Sequence, residues 1–182
     1  MQNIINNVHS HPSSIDAYIR HGWSLTPIPY MTKGPTQPGW NRPESALKSE
    51  HSLPVNYGIG LLHAYSGTCA IDIDDFQMAQ QELLVHGIDL NQLYNAPDAV
   101  QIISGKPGRG KLLYSLPSPM KTKKIVKQGQ TILELRCEAS NGLSVQDVLP
   151  SSIHPETGKP YQWGGLGHWS RLPTLPDNLI RS

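Results

Sequence analysis

The stretch Cys69-Ala70-Ile71-Asp72-Ile73-Asp74-Asp75 decides how this chain is read. Its apolar residues predict a short buried strand, and side chains on a strand alternate between faces with period two. Ile71 and Ile73 therefore point into a core while Asp72 and Asp74 share the opposite face. Two adjacent carboxylates repel each other, which is costly unless a cation sits between them. Hard divalent ions such as Mg²⁺ or Mn²⁺ take oxygen ligands, and one or two carboxylates completed by substrate phosphates is the usual Mg²⁺ arrangement. The same residues allow a plainer reading in which Asp74 caps the following helix, with Gln77 at the third helical position of a capping box.

Around this strand the composition sets loose bounds. At 182 residues the chain is one domain, or two small modules sharing a cleft, and is long enough to bury a real core. Lys and Arg number 15 against 14 Asp and Glu, so no overall field marks it for nucleic acid. The distribution is more telling, because between Ser104 and Arg136 there are eight basic residues against the single acid Glu134. Four of these, Lys121, Lys123, Lys124 and Lys127, form a candidate track for a nucleic-acid backbone, with a solvated basic hairpin as the alternative. The two cysteines, Cys69 and Cys137, make neither a disulfide framework nor a zinc set and read as core thiols. No apolar run approaches the roughly 18 residues of a membrane span, and the polar start Met-Gln-Asn-Ile-Ile-Asn-Asn lacks the features of a signal peptide. The expectation is a soluble cytoplasmic protein without membrane partners.

Sixteen Gly and sixteen Pro cut the chain into short elements and argue against a helical bundle. Apolar spacing predicts a short helix after Ser13-Ser14 that ends near Gly22, a strand over 23–28, a loop over 29–43 and a helix over about 44–48. Strands are expected at 57–62 and 69–73 around a turn at Ser66-Gly67, followed by a helix over 76–86 stopped by Gly87. Later strands are expected at 100–103, 112–116, 125–126, 132–136 and 143–149. Interleaved strands with few helices predict an α+β fold with a mixed or antiparallel sheet.

A third carboxylate extends the possible metal site. In Ile132-Leu133-Glu134-Leu135-Arg136 the apolar residues alternate with Glu134 and Arg136, which share one face. Glu134 is a candidate third ligand beside Asp72 and Asp74, and Arg136 a candidate for a phosphate or for the carboxylates; an ordinary wet sheet face is the alternative. Between these strands lies Ser104-Gly105-Lys106-Pro107-Gly108-Arg109-Gly110-Lys111, a Gly-rich basic turn able to bring backbone N–H groups and cationic heads against phosphates. It is not a P-loop, because Leu112 stands where Ser or Thr is needed and a strand follows instead of a helix.

In order along the chain, these segments resemble the bifunctional DNA primase/polymerase N-terminal domain of the archaeo-eukaryotic primase superfamily. Gly22-Trp23-Ser24-Leu25-Thr26-Pro27-Ile28 with Lys33-Gly34-Pro35 and Gly39-Trp40 is similar to the family's opening strand and loop. Tyr57-Gly58-Ile59-Gly60, Ser66-Gly67 and Ile71-Asp72-Ile73-Asp74 lead into its first metal motif, and Gly108 to Tyr114 occupies the place of the second. Leu133-Glu134-Leu135-Arg136 resembles the third. Val148-Leu149-Pro150-Ser151-Ser152-Ile153-His154-Pro155, Thr157-Gly158 and Tyr161-Gln162-Trp163 resemble the closing signature.

The resemblance implies a two-module catalytic core with one module related to RNA-recognition folds, spanning residues 13–176 between a polar leader at 1–12 and a tail at 177–182. It implies a template-dependent nucleotidyltransferase, a DNA primase/polymerase of plasmid, phage or prophage-type replication, working by two-metal phosphoryl transfer with Mg²⁺ or Mn²⁺. Asp72, Asp74 and Glu134 would be the catalytic metal ligands. Ser104, Arg109 and Lys111 would hold the nucleotide, with Arg136, Lys33, Ser152 and His154 as further nucleotide contacts. For Ser152 and His154 a tight structural turn framed by Pro150 and Pro155 is the alternative. Partners would be single-stranded or primed DNA and nucleoside triphosphates, with a helicase domain or protein as a further candidate.

Two departures from the family pattern stand out. Lys111 takes the place of a His that contacts the incoming nucleotide in many members; lysine binds phosphate but does not readily give up its proton near neutrality. Glu134 stands where Asp is common. The rival expectations are a catalytically decayed nucleic-acid-binding replication module and a metal-dependent nuclease built on the same acids.

Overall fold

The computed structural model describes residues 15–181; the polar leader expected at 1–12 lies outside them. The chain begins with α1 (Ile15–Arg20), closed by Gly22 at φ +96°, and β1 (Leu25–Ile28). A long loop leads to β2 (Gly58–Leu62), the single turn α2 (His63–Ser66) and β3 (Thr68–Ile73). Helices α3 (Phe76–Val85) and α4 (Leu90–Tyr94) precede β4 (Val100–Ile103), β5 (Gly110–Ser115), β6 (Lys123–Lys127) and β7 (Gln130–Arg136). Strands β8 (Gln146–Val148) and β9 (Gln162–Gly164) and helix α5 (Asp177–Arg181) complete the chain.

The strands form two antiparallel sheets, one of three strands in the order β1-β2-β8 and one of six in the order β6-β7-β3-β5-β4-β9. This is the α+β architecture the sequence predicts. The larger sheet is covered on both faces at its centre, so β3 reads as a nearly continuous apolar run. On one face Cys69, Ile71 and Ile73 pack with Leu112, Leu133 and Leu135 against Ala79 and Leu83 of α3, Leu90 of α4 and Leu179 of α5. On the other, Ala70, Val100, Ile102 and Leu113 meet Leu25, Ile59, Leu61 and Leu149 from the smaller sheet's side. The functional candidates lie at one end of this seam between the sheets.

Several local expectations change. The helix expected over about 44–48 is a single 3₁₀ turn, Pro43–Ser45, because the Leu47 N–H is captured by the Leu25 carbonyl at 2.8 Å. Helix α4 was not legible as a helix; Asp89 caps it by accepting from the Gln92 N–H at 3.2 Å. The residues read as a C-terminal tail form α5, whose Leu179 is buried in the main core. Both cysteines are buried and free, as expected. No helix among the described residues is long and apolar enough to cross a membrane.

Candidate active site

Antiparallel register puts one residue from each of four adjacent strands in a row. Lys111 of β5 pairs with Asp72 of β3, Asp72 with Glu134 of β7, and Glu134 with Lys124 of β6. Directly opposed residues point to the same face, so the row runs cation, carboxylate, carboxylate, cation, and each carboxylate has a cation beside it. Lys111 Nζ lies 3.8 Å from Asp72 Oδ1, Arg136 lies 3.2 Å from Glu134 Oε2, and Lys124 Nζ lies 3.8 Å from Glu134 Oε1. Beyond the end of β3 the N–H groups of Asp74 and Asp75 both donate to the Ile132 carbonyl, at 3.0 and 3.2 Å. The chain bends there. Asp75, not Asp74, caps α3 by accepting from the Met78 N–H at 3.0 Å.

Asp74 is thus left to the cavity it shares with Asp72. This cavity of about 150 Å³ is also lined by Lys33, Ser104, Lys106, Arg109, Lys111, His154 and Tyr161. Arg109 approaches Asp74 at 3.9 Å, while Glu156 bridges Lys33 and Lys106, one carboxylate oxygen to each. These two lysines hold the Glu156 carboxyl at about 2, below the usual range. His154 is buried, and its Nδ1 accepts from the N–H groups of Glu156 and Thr157 at 3.1 and 3.3 Å. Burial and the nearby Lys33 push its pKa down, so the ring is neutral with its proton on Nε2.

Behind this wall lies a residue the sequence reading did not single out. Asp147, on β8 of the smaller sheet, is buried and pairs with Lys111. It accepts from Arg136 Nε at 3.1 Å and His63 Nε2 at 2.8 Å. His63 is buried completely, and its Nδ1 accepts from the Thr68 hydroxyl at 2.9 Å. Desolvation pushes the His63 pKa down despite Asp147, so the ring is neutral and its single proton sits on Nε2. Burial would raise the Asp147 carboxyl, but Lys111, Arg136 and His63 outweigh it and hold it well below the usual range. Asp72 moves the other way: burial raises its pKa, Lys111 opposes this and Asp147 adds to it. Lys111 loses charge preference to burial but regains more from Asp147 first and Asp72 second. Its charge is held mainly by Asp147, and Asp72 receives the remainder.

The sequence carried a signal for Asp147, namely a carboxylate inside an apolar strand beside Val145, Val148 and Leu149. Such a group requires a partner. Those partners come from β5, β7 and α2, which no local pattern could reveal.

The expected three-carboxylate cluster is only partly assembled. Among the described residues, no group of three or more His, Cys, Asp and Glu side chains is arranged to hold a metal ion. Asp72 and Asp74 present hard oxygen donors to one cavity and fit Mg²⁺ or Mn²⁺ by donor chemistry. Glu134 is instead gripped by Arg136 and Lys124 and does not line that cavity.

Other expected residues separate into groups. Ser104, Arg109, Lys111, Lys33 and His154 converge on the cavity. Lys111 is on β5 and paired with Asp147, with its side chain partly exposed in the cavity wall, not in a free loop. Arg136 is committed to Asp147, to Glu134 and to the Gln146 carbonyl at 2.8 Å. Ser152 is buried outside the cavity wall; its Oγ accepts from the Ile59 N–H at 2.9 Å and donates to the Ile59 carbonyl at 3.3 Å. A Cβ on Gly58 would sit 2.6 Å from that oxygen, so glycine admits this stitch between loop and β2. Trp163, from the closing signature, donates from Nε1 to the Tyr18 hydroxyl at 2.9 Å within a cluster that includes Trp23.

The four lysines of the expected nucleic-acid track do not form an uncompensated patch. Lys121 pairs with Glu138, Lys127 with Glu82 at 2.9 Å and Lys124 with Glu134, while Lys123 donates to the Ile180 carbonyl at 3.0 Å. Three of them lie on or at the ends of β6, an edge strand, where lysines discourage pairing with another sheet.

Among curated proteins none matches the chain. Residues 15–178, nearly the whole chain, match the family model described as bifunctional DNA primase/polymerase, N-terminal. With two antiparallel sheets and paired aspartates opening into a basic cavity, the chain belongs to this family of DNA primase/polymerase-type nucleotidyltransferases, which act with DNA templates and nucleotides.

Proposed function

We propose that this chain synthesises primers and extends them on single-stranded or primed DNA, in replication of the plasmid, phage or prophage type. The observation that carries this reading is the convergence of Asp72 and Asp74 with Lys33, Ser104, Lys106, Arg109 and His154 on one cavity. A cavity lined by both carboxylates and cations suits a nucleoside triphosphate bound with a divalent ion.

Asp72 and Asp74 would hold Mg²⁺ or Mn²⁺. When bound there, the ion would supply charge neutralisation on the triphosphate and activation of the attacking hydroxyl. Arg109 contributes positive charge from the Gly-rich turn, and Lys106 and Lys33, both paired with Glu156, flank it. His154, neutral and protonated on Nε2, is a hydrogen-bond donor that does not depend on a titration near neutrality. It offsets in part the absence of a His at position 111. Lys111 in the cavity wall and Arg136 behind it shape the field at the carboxylates, and Glu134 belongs to the same charge row.

A second reading, a binding module whose catalysis has decayed, is favoured by one observation: Glu134 is held by Arg136 and Lys124 instead of joining the aspartates. Incorporation of labelled nucleotides on a primed single-stranded template, with Mn²⁺ or Mg²⁺ and with chelator as control, separates the two. Metal-dependent extension supports the polymerase reading. Triphosphate and template binding without extension supports the decayed module. A helicase acting with this chain, as a further domain or a separate protein, belongs to the same proposal.

A further inference from the structure

We infer that Asp147 is the positioning residue of the site: from the smaller sheet it holds the Lys111 ammonium away from Asp72 and so keeps Asp72 available to a divalent ion. The inference rests on the metal reading of Asp72 and Asp74 given above. Asp72 and Lys111 line the cavity, whereas Asp147 does not. Asp147 therefore makes no direct contact with the cavity and acts on it through the groups it holds, in addition to the field of its own charge.

The geometry assigns the charge of Lys111 unequally. Lys111 is hydrogen-bonded to Asp147 but stands 3.8 Å from Asp72, beyond hydrogen-bond distance. Arg136 is shared in the same way between Asp147 and Glu134. His63 supplies a third donor to Asp147, and Thr68 fixes the His63 ring. This chain of contacts ties β8 to the start of β3 and sets the carboxylate from behind. Without the charge of Asp147, the nearest carboxylates left to Lys111 and Arg136 are Asp72 and Glu134. Lys111 would then occupy as a monovalent cation the side chain that a divalent ion needs.

Mn²⁺ binding to the full chain, followed by electron paramagnetic resonance of the free ion, tests this without requiring activity. Asp147→Asn should weaken Mn²⁺ binding by about 10- to 100-fold, the range for outer partners of metal ligands. Lys111→Met should bind Mn²⁺ at least as tightly as wild type, because it removes the competing cation. The decisive comparison is the cycle: in the Lys111→Met background, Asp147→Asn should cost clearly less than in the wild-type background. Equal costs in both backgrounds would show that Asp147 acts only as a distant charge and would overturn the inference, as would an unchanged affinity in Asp147→Asn. If Asp147→Asn alone fails to fold, Lys111→Met still decides: weaker Mn²⁺ binding than wild type overturns the inference and tighter binding supports it. Absence of Mn²⁺ binding by the wild type would overturn the metal reading itself, a result distinct from either failure.

Discussion

The seam between the sheets and the β6 edge both set lysines against carboxylates, in opposite surroundings. At the seam, Asp147 is 3% exposed and is held by Lys111, Arg136 and His63. At the edge, Lys124 and Lys127 reach Glu134 and Glu82 with about half of their own side-chain surface still in solvent. Burial strips water from the seam charges, so each must be matched. At the edge, water and salt share the task. A lysine row in the sequence therefore says less about function than one acid in the middle of an apolar strand.

The largest stability effect should come from the seam. Asp147→Ala leaves Lys111 and Arg136 without their common partner and should destabilise the fold by about 3–5 kcal/mol, measured by denaturant unfolding. A loss below about 1 kcal/mol would place the seam in the same class as the edge. The pH dependence sharpens the same comparison. The folded-state pKa of Asp147 lies below its unfolded value, so its stabilising effect is complete above the ordinary carboxylate range and is lost as pH falls through the depressed value. The stability gap between wild type and Asp147→Asn should therefore be fully open near pH 7 and close only in strong acid, well below about pH 4. A gap that closes already at mildly acidic pH would contradict the assignment.

The smallest effect belongs to the edge. Replacing Lys123 and Lys124 together with Ala should leave stability within about 1 kcal/mol and make the salt slope of template binding shallower by no more than about 1. A larger change in slope would return these lysines to a nucleic-acid track. Increased self-association of the same variant would mark their edge-guarding role.

Legibility in the sequence follows the range of the interactions. Period-two alternation predicted that Ile71 and Ile73 face the core, and both are fully buried. The same rule put Glu134 and Arg136 on one face of their strand, and only register across β3 and β7 shows Glu134 opposed to Asp72. The Gly-rich turn and His154 could be nominated from motifs, since their chemistry is written locally. Asp147 and His63 could not be linked, because 84 positions separate them and the bond joins α2 to β8. Lys111 was misjudged as a loop residue for a related reason: β5 begins at Gly110, within the Gly-rich run, and carries it into the seam. Capping was off by one residue, Asp75 in place of Asp74, and that displacement leaves Asp74 to the cavity.

The central claim is the proposal that Asp72 and Asp74 hold the metal while Asp147 behind them positions Lys111 and braces the seam. Its most direct test is nucleotide incorporation on a primed template by Asp72→Asn and Asp74→Asn, with melting temperatures measured alongside. Burial already disfavours the charged form of Asp72, so neutralising it should leave melting nearly unchanged. Metal-dependent incorporation should fall by about a hundredfold or more in each variant. Incorporation at the parent's rate by both would contradict the account.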